Sequence, residues 1–420
     1  MGKYQHGFLW EGAMFNERNQ STGRGQTAPQ PSFMTPITHI VMRLIPPCLT
    51  ALALSCLLLG LFSFPPAYAA GGLLVSSNPV TDPKALLRLA LPVTDPAIRQ
   101  LQSSLEDIRY QLRLKRWRAI EGDVKTAQRT LERHRQTWLD QIAPGDQAVA
   151  TTHLDAISTG LTDLAALIPN RDKIAVSVAL DAILDHVGEL EALMVREFPF
   201  TIPAAYAQYP QLRGRATVKI ITNKGDMTVV LDGYNAPITA GNFLDLVQQG
   251  FYNHLPFTRA EESYVVQAGD PPGDADGYID PRTGQTRRIP LEIKIQGDEQ
   301  PLYGTTLETA GRYLDKPMLP FAAYGTLAMA RTESDPNSAS SQFFFLLFEP
   351  ELTPAGINLL DGRYAVFGYL VEGKEVLEKI RAGDEIETIE ILDGAEHLVN
   401  ATPRMTNQTA LELPIPNPQF

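Results

Sequence analysis

The chain has 420 residues, 44% hydrophobic and 20% charged, enough apolar material for more than one buried core. Its formal charge is −12 with no basic block, which excludes a protein that holds nucleic acid through phosphate contacts. The only cysteines are Cys48 and Cys56, so everything downstream of them must fold without disulfides.

Residues 1–33 are polar and show no periodicity. The stretch 41–70, VMRLIPPCLTALALSCLLLGLFSFPPAYAA, has the three parts of an export signal. Arg43 supplies the charge, Leu49 to Phe64 the apolar run, and Ala67-Tyr68-Ala69 a small-residue cleavage site. The expectation is that 1–69 is an N-terminal extension plus signal peptide, cut after Ala69; Met34 and Met42 are alternative starts. The run is short for a bilayer span and ends on Pro65-Pro66, so no permanent membrane anchor is expected. Loss of both cysteines with the leader fits an exported protein of a periplasm or thylakoid lumen.

From 79 to 198 the apolar residues recur with the helical period. Asp95-Pro96 opens a helix carrying Ile98, Leu101, Leu105, Ile108 and Leu112 on one face. A second stripe runs Trp117, Ile120, Val124, Ala127, Leu131, His134 and Trp138, ended by Pro144-Gly145. A third holds Leu154, Ile157, Leu161, Leu164 and Ile168, closed by Pro169. Asn170 is the expected cap of a fourth, with Leu180, Ile183, Val187, Leu190 and Met194. No stripe outlasts about three heptads without a breaker, so an intramolecular four-helix bundle is favoured over a zipper with another chain. His134, His153 and His186 fall on different helices without carboxylates at ligand spacing, so neither a metal site nor a cofactor is expected.

Residues 199–214 read as a Pro- and Tyr-containing linker. Beyond it, ATVKIITNKGDMTVVLD alternates as a hairpin turned at Asn-Lys-Gly-Asp, and TAGNFLDLVQQG reads as a short helix ended by Gly250. GTLAMAR (325–331), SQFFFLLF (341–348) and RYAVFGYL (363–370) are further β-type runs. The expected fold is therefore multidomain: an all-α helical bundle, then over 215–400 an antiparallel β-barrel capped by helices. Residues 401–420, ending LELPIPNPQF, read as a C-terminal tail.

The β half carries linked motifs in a fixed order. APITAGNFLDLVQQGFYNHLPFTR (236–259), YVVQAGD (264–270), GTLAMAR, SSQFFF and LLDGRYAVFG follow one another over about 190 residues, a pattern too long for chance. Together they resemble the cyclophilins, the peptidyl-prolyl cis-trans isomerases. The resemblance implies that Arg259 is the catalytic donor and Gln267 the amide that bonds the substrate backbone. It implies a proline pocket walled by Tyr264, Val265, Phe344 and Leu360, with Ala330 as groove floor and Gln342 as second glutamine. Leu359 stands where the family usually has Trp, Tyr364 where it has His, and Arg331 where it has Asn. Tyr264 and Val265 replace the usual Phe and Met.

The chemistry fits those residue types. Turning an X-Pro bond breaks amide resonance, a barrier of roughly 20 kcal/mol, and returns a lone pair to the prolyl nitrogen. A fixed guanidinium near that nitrogen is worth more in the twisted state than in the planar one. A helical bundle ahead of a divergent cyclophilin resembles the multidomain cyclophilins of plant and cyanobacterial thylakoid lumens. That resemblance implies proline-containing luminal loops of photosystem II subunits as partners, a role in assembly and maintenance, and a bundle packed on the isomerase domain that regulates access. The function expected is weak or regulated prolyl isomerisation, the alternative being an inactive peptide-binding assembly factor. The segment 271–321, long for a cyclophilin, is either solvated loop or part of the groove.

Overall fold

The computed structural model describes residues 80–348 and 358–402. The expected leader 1–69 and the tail beyond Thr402 lie outside the described residues. Five helices come first: α1 Pro83–Ala90, α2 Pro96–Arg113, α3 Trp117–Gln141, α4 Gln147–Leu167 and α5 Lys173–Met194. Asp95 caps α2 as its position ahead of Pro96 demands, accepting from the amides of Ala97 (2.8 Å) and Ile98 (2.9 Å). It also accepts from Trp138 Nε1 at 3.3 Å and Gln141 Nε2 at 3.2 Å, so one carboxylate ties the start of α2 to the end of α3. The stripes read from the sequence meet in one core, with Ile98, Leu101, Ile120, Trp138, Leu161, Leu180 and Val187 among its buried members.

Two details of this half differ from the sequence reading. Asp172, not Asn170, caps α5, because its Oδ1 reaches the amides of Ile174 and Ala175. Asn170 belongs instead to a 3-10 turn, Ile168–Asn170, and Arg171 carries the chain onward at φ 52°. The second difference is α1, a fifth helix outside the bundle's core. Its Leu86, Leu87 and Ala90 are buried with the β half.

The last carbonyls of a helix need partners, and α1 finds them on both sides. Arg215 takes Leu87 O, and Asn235 Nδ2 takes Ala90 O at 2.9 Å, both from the β half. Arg99 of α2 takes Arg88 O at 2.9 Å and Leu91 O at 2.5 Å. Helix α1 is thus the clasp between the two halves.

The strands are β1 Gln211–Leu212, β2 Arg215–Thr222, β3 Gly225–Asp232, β4 Leu255–Pro256, β5 Arg259–Glu261, β6 Val265–Ala268, β7 Ile279–Asp280 and β8 Gln285–Thr286. They continue as β9 Glu292–Ile293, β10 Leu302–Tyr303, β11 Thr326–Met329, β12 Phe343–Leu346, β13 Val366–Glu372, β14 Glu385–Asp393 and β15 Leu398–Val399. Nine of them form one antiparallel sheet in the order β4-β14-β2-β3-β13-β11-β12-β6-β5. Its two edges, β4 and β5, are separated in the chain only by Phe257 and Thr258. Laid flat, nine strands at ~4.8 Å would put those edges nearly 40 Å apart, far beyond the reach of two residues. The sheet must curl until its edges approach, and it does.

Helix α6, Pro237–Gln248, is buried along almost its whole length against this sheet; a one-turn helix, α7 Lys374–Leu377, follows β13. Glu292 of β9 covers the open start of α6, accepting from the amides of Ile238 and Thr239 and from Thr239 Oγ1. The segment 271–321 is therefore folded rather than solvated. It holds the ribbons β7–β8 and β9–β10 and a small core of Leu291, Ile293, Ile295 and Leu307 on Ala365.

The expected linker and domain end also shift. Within 199–214, β1 pairs with β15, and Thr402 is held by Asp245 through both its amide (2.6 Å) and its hydroxyl (2.9 Å). The β half is closed by its own two ends. Among the described residues no helix is long and apolar enough to cross a membrane.

Candidate functional site

The run Ser341–Leu347 carries three consecutive phenylalanines, and the period of a strand sorts them. Phe343 and Phe345 point into the core, Phe343 meeting Phe243 at 5.1 Å and Tyr252 at 5.4 Å between centroids. Phe344 faces the other way. Residues directly opposite in a ladder share a face, and the register here puts Arg259 opposite Gln267, Gln267 opposite Phe344 and Phe344 opposite Ala328. One row across four strands therefore presents a guanidinium, an amide and an aromatic ring side by side. Val265 and Gln342, each two residues from a row member, join the same face.

Phe344 is the floor of an apolar recess. The Phe321 ring stacks on it at 6.1 Å and the Tyr364 ring meets it edge-on at 5.5 Å. Leu360 and Ala330 are half-buried against the same β core, and Val265 is buried in it. Asn358 Nδ2 donates to Phe321 O at 3.1 Å and Phe321 N donates to Asp361 Oδ1 at 2.8 Å, clipping the 358–364 wall to the end of the 271–321 segment. Phe321 had no motif to announce it: its place depends on a loop folding back.

Arg259 is exposed on the groove side. Its Nε donates to Glu261 Oε1 at 2.6 Å, and its Cζ lies 5.7 Å from the centre of the Tyr264 ring, itself 42% exposed. The hydrogen bond from Arg259 holds the Glu261 carboxyl below the usual carboxylate range. Neither Nη has a partner among the described residues. Gln267 Nε2 donates to Gln342 Oε1 at 2.8 Å, and Gln342 Nε2 in turn donates to Asp270 at 2.9 Å and to Asp276 O at 3.1 Å. This relay orients the Gln267 amide. Burial, then the neighbouring Asp276, pushes the Asp270 carboxyl up.

Arg331 does not lie across the peptide path as its length suggests. Its Nε donates to Arg363 O at 2.8 Å, and one Nη donates to Thr332 O at 2.7 Å and Glu333 O at 3.0 Å. Its Cζ sits 5.0 Å from the centre of the Tyr364 ring. Three carbonyls and a ring draw the cation aside. Leu359, by contrast, is 81% exposed and forms a lip rather than a wall. Among the described residues no hydrogen bond or ion pair joins 83–198 to a groove residue, and α1 is clasped by β2 and the β3–α6 turn and packs on β13.

A curled antiparallel sheet that sets an exposed guanidinium in one row with an amide and a phenyl ring is an arrangement suited to a peptide-handling isomerase. Residues 217–396 match the family described as cyclophilin type peptidyl-prolyl cis-trans isomerase. Residues 82–195 match the PsbQ-like domain of CYP38-like peptidyl-prolyl cis-trans isomerases. A protein of Synechocystis provisionally named thylakoid lumen peptidyl-prolyl cis-trans isomerase sll0408 is 52% identical over 329 residues, spanning 78% of this chain and 87% of that protein. The chloroplastic peptidyl-prolyl cis-trans isomerase CYP38 of Arabidopsis thaliana is 42% identical, spanning 78% of this chain and 77% of its own. The chain belongs to the cyclophilin-type peptidyl-prolyl cis-trans isomerases, with a PsbQ-like helical half ahead of the isomerase half.

Proposed function

We propose that the chain turns X-Pro bonds at the groove of Arg259, Gln267 and Phe344, in a thylakoid lumen, on proline-containing luminal segments of photosystem II subunits. The observation that supports this reading is the cross-strand row: ladder register sets a guanidinium and an amide beside Phe344, and Glu261 and Gln342 hold them there. The pyrrolidine ring enters the recess of Phe344, Phe321, Val265 and Leu360. Gln267 holds the substrate backbone. As the imide twists, a free Arg259 Nη donates to the prolyl nitrogen, which is a better acceptor twisted than planar. The luminal setting is supported by the names of the relatives, one a thylakoid lumen isomerase and one chloroplastic. The reading as an inactive peptide holder is not favoured by membership of an isomerase family.

The test is an NMR exchange assay on an Ala-Pro peptide with the intact chain. Arg259→Ala is expected to lower kcat by roughly 100-fold, the scale seen when one transition-state donor is removed, with peptide binding kept. Unchanged turnover in that variant would sink the assignment. Turnover by the intact chain is expected to match that of a chain lacking 92–196, because α1, not the bundle core, is what the β half packs on.

A further inference from the structure

We infer that the turn Arg312–Asp315 is a second contact surface for the same client, taking an apolar side chain that flanks the proline. This rests on the groove reading above. The turn closes with Asp315 N donating to Arg312 O at 3.1 Å, so Tyr313 and Leu314 occupy its two central positions. Turn centres favour Gly, Asn, Asp, Pro or Ser. Here two large apolar side chains stand 73% and 89% exposed. Single exposed apolar residues are ordinary, but two side by side at the tip of a clamped turn present a knob that gains nothing within this chain.

The clamp is firm. The Arg312 guanidinium pairs with both Asp298 and Asp315, and Arg312 N donates to Leu307 O at 2.7 Å. The backbone that displays the pair is thus already ordered before a peptide arrives. Its location names the occupant. Leu307 N donates to Gly362 O at 3.0 Å and Glu308 pairs with Arg363 at 3.0 Å. Two hydrogen-bonded steps therefore link the knob to the wall carrying Leu359, Leu360 and Tyr364. The knob is thus tied to the same wall whose exposed Leu359 a peptide would cross on leaving the recess. Arg312, Asp298 and Asp315 are paired with one another, so the residue the turn takes is aliphatic or aromatic.

The experiment uses the intact chain and a Tyr313→Ser/Leu314→Ser double variant. Three probes are compared: an Ala-Pro tetrapeptide, a twelve-residue peptide with Ala-Pro at its centre and Leu and Phe in the flanks, and the same peptide with Ser in the flanks. NMR exchange supplies kcat and KM, and fluorescence anisotropy supplies affinity independently of turnover. The native chain is expected to show about tenfold lower KM and Kd for the Leu/Phe peptide than for its Ser counterpart, the scale of one apolar side chain leaving water. The double variant is expected to lose that advantage while treating the tetrapeptide as before. Equal Kd for the two long peptides, or an advantage that survives in the double variant, would overturn the inference. So would a change in sedimentation coefficient on mutation without a peptide effect, which would assign the knob to a second copy of the chain. If the tetrapeptide is not isomerised by the native chain, the groove reading fails, and the anisotropy still judges the turn.

Discussion

Arg331 and Arg259 are chemically alike and placed in opposite circumstances. Arg259 has one donor fixed by Glu261 and its Nη groups unclaimed, the condition for acting on a substrate. Arg331 has its Nε and one Nη engaged by three backbone carbonyls beside the Tyr364 ring, which holds the cation against its own loop. Arg331→Asn, which restores the residue usual in the family, is therefore expected to change kcat/KM on an Ala-Pro peptide by less than about threefold, against the roughly 100-fold loss at Arg259. A large gain in that variant would mean the side chain does obstruct the path. Phe321 is the converse case, a residue without a motif that stacks on Phe344.

At the scale of elements, α1 decides how the two halves are joined. Eight residues are too few to form a stable helix alone, so PKALLRLA is helical because both halves claim it. Its apolar face goes to the β core, and its last carbonyls are shared between Arg99 on one side and Arg215 with Asn235 on the other. Leu87→Ala is expected to destabilise the β half by about 2–5 kcal/mol, as for other buried leucines. A chain starting at residue 70 has tryptophan only at Trp117 and Trp138, both in the bundle. The loss-of-activity midpoint in urea should therefore fall while the tryptophan-monitored midpoint holds. A shift of the tryptophan transition instead would place α1 with the bundle.

Across the whole molecule, Glu191 and Glu292 contribute a falling stability with pH, Asp123, pushed up to about 6 by burial, acts in the same direction, and His153, lowered by burial, acts against them. Burial pushes Glu191, beside Arg99 at 3.4 Å, up to about 7, and burial likewise pushes Glu292 at the start of α6 up to about 7. Their reference value is 4.5, so between about 4.5 and 7 the folded state binds more protons than the unfolded one. Stability supplied by these groups is complete at the acid end of that window and is lost as pH rises through it, by at most about 1.4 kcal/mol per pH unit for each. Urea denaturation between pH 5 and 8 is expected to give a falling stability that Glu191→Gln flattens. A rise over that range in the native chain would refute the sign.

What the amino-acid order determined by itself is everything carried by local periodicity and motif. The bundle stripes, the Asp95 cap and the hairpin of β2 and β3 were all legible, because helix and strand periods repeat within a few residues, and motif order was enough to single out Arg259, Gln267, Gln342 and Phe344 for the groove proposed above. The tertiary structure alone decided that 271–321 folds onto the groove wall, that Arg331 turns aside, that α1 serves the β half, and that the linker end pairs with β15. Each of these depends on hydrogen bonds or packing between residues far apart in the chain, whose free energy appears only once the sheet has curled. No local pattern can encode which distant carbonyl an arginine will find.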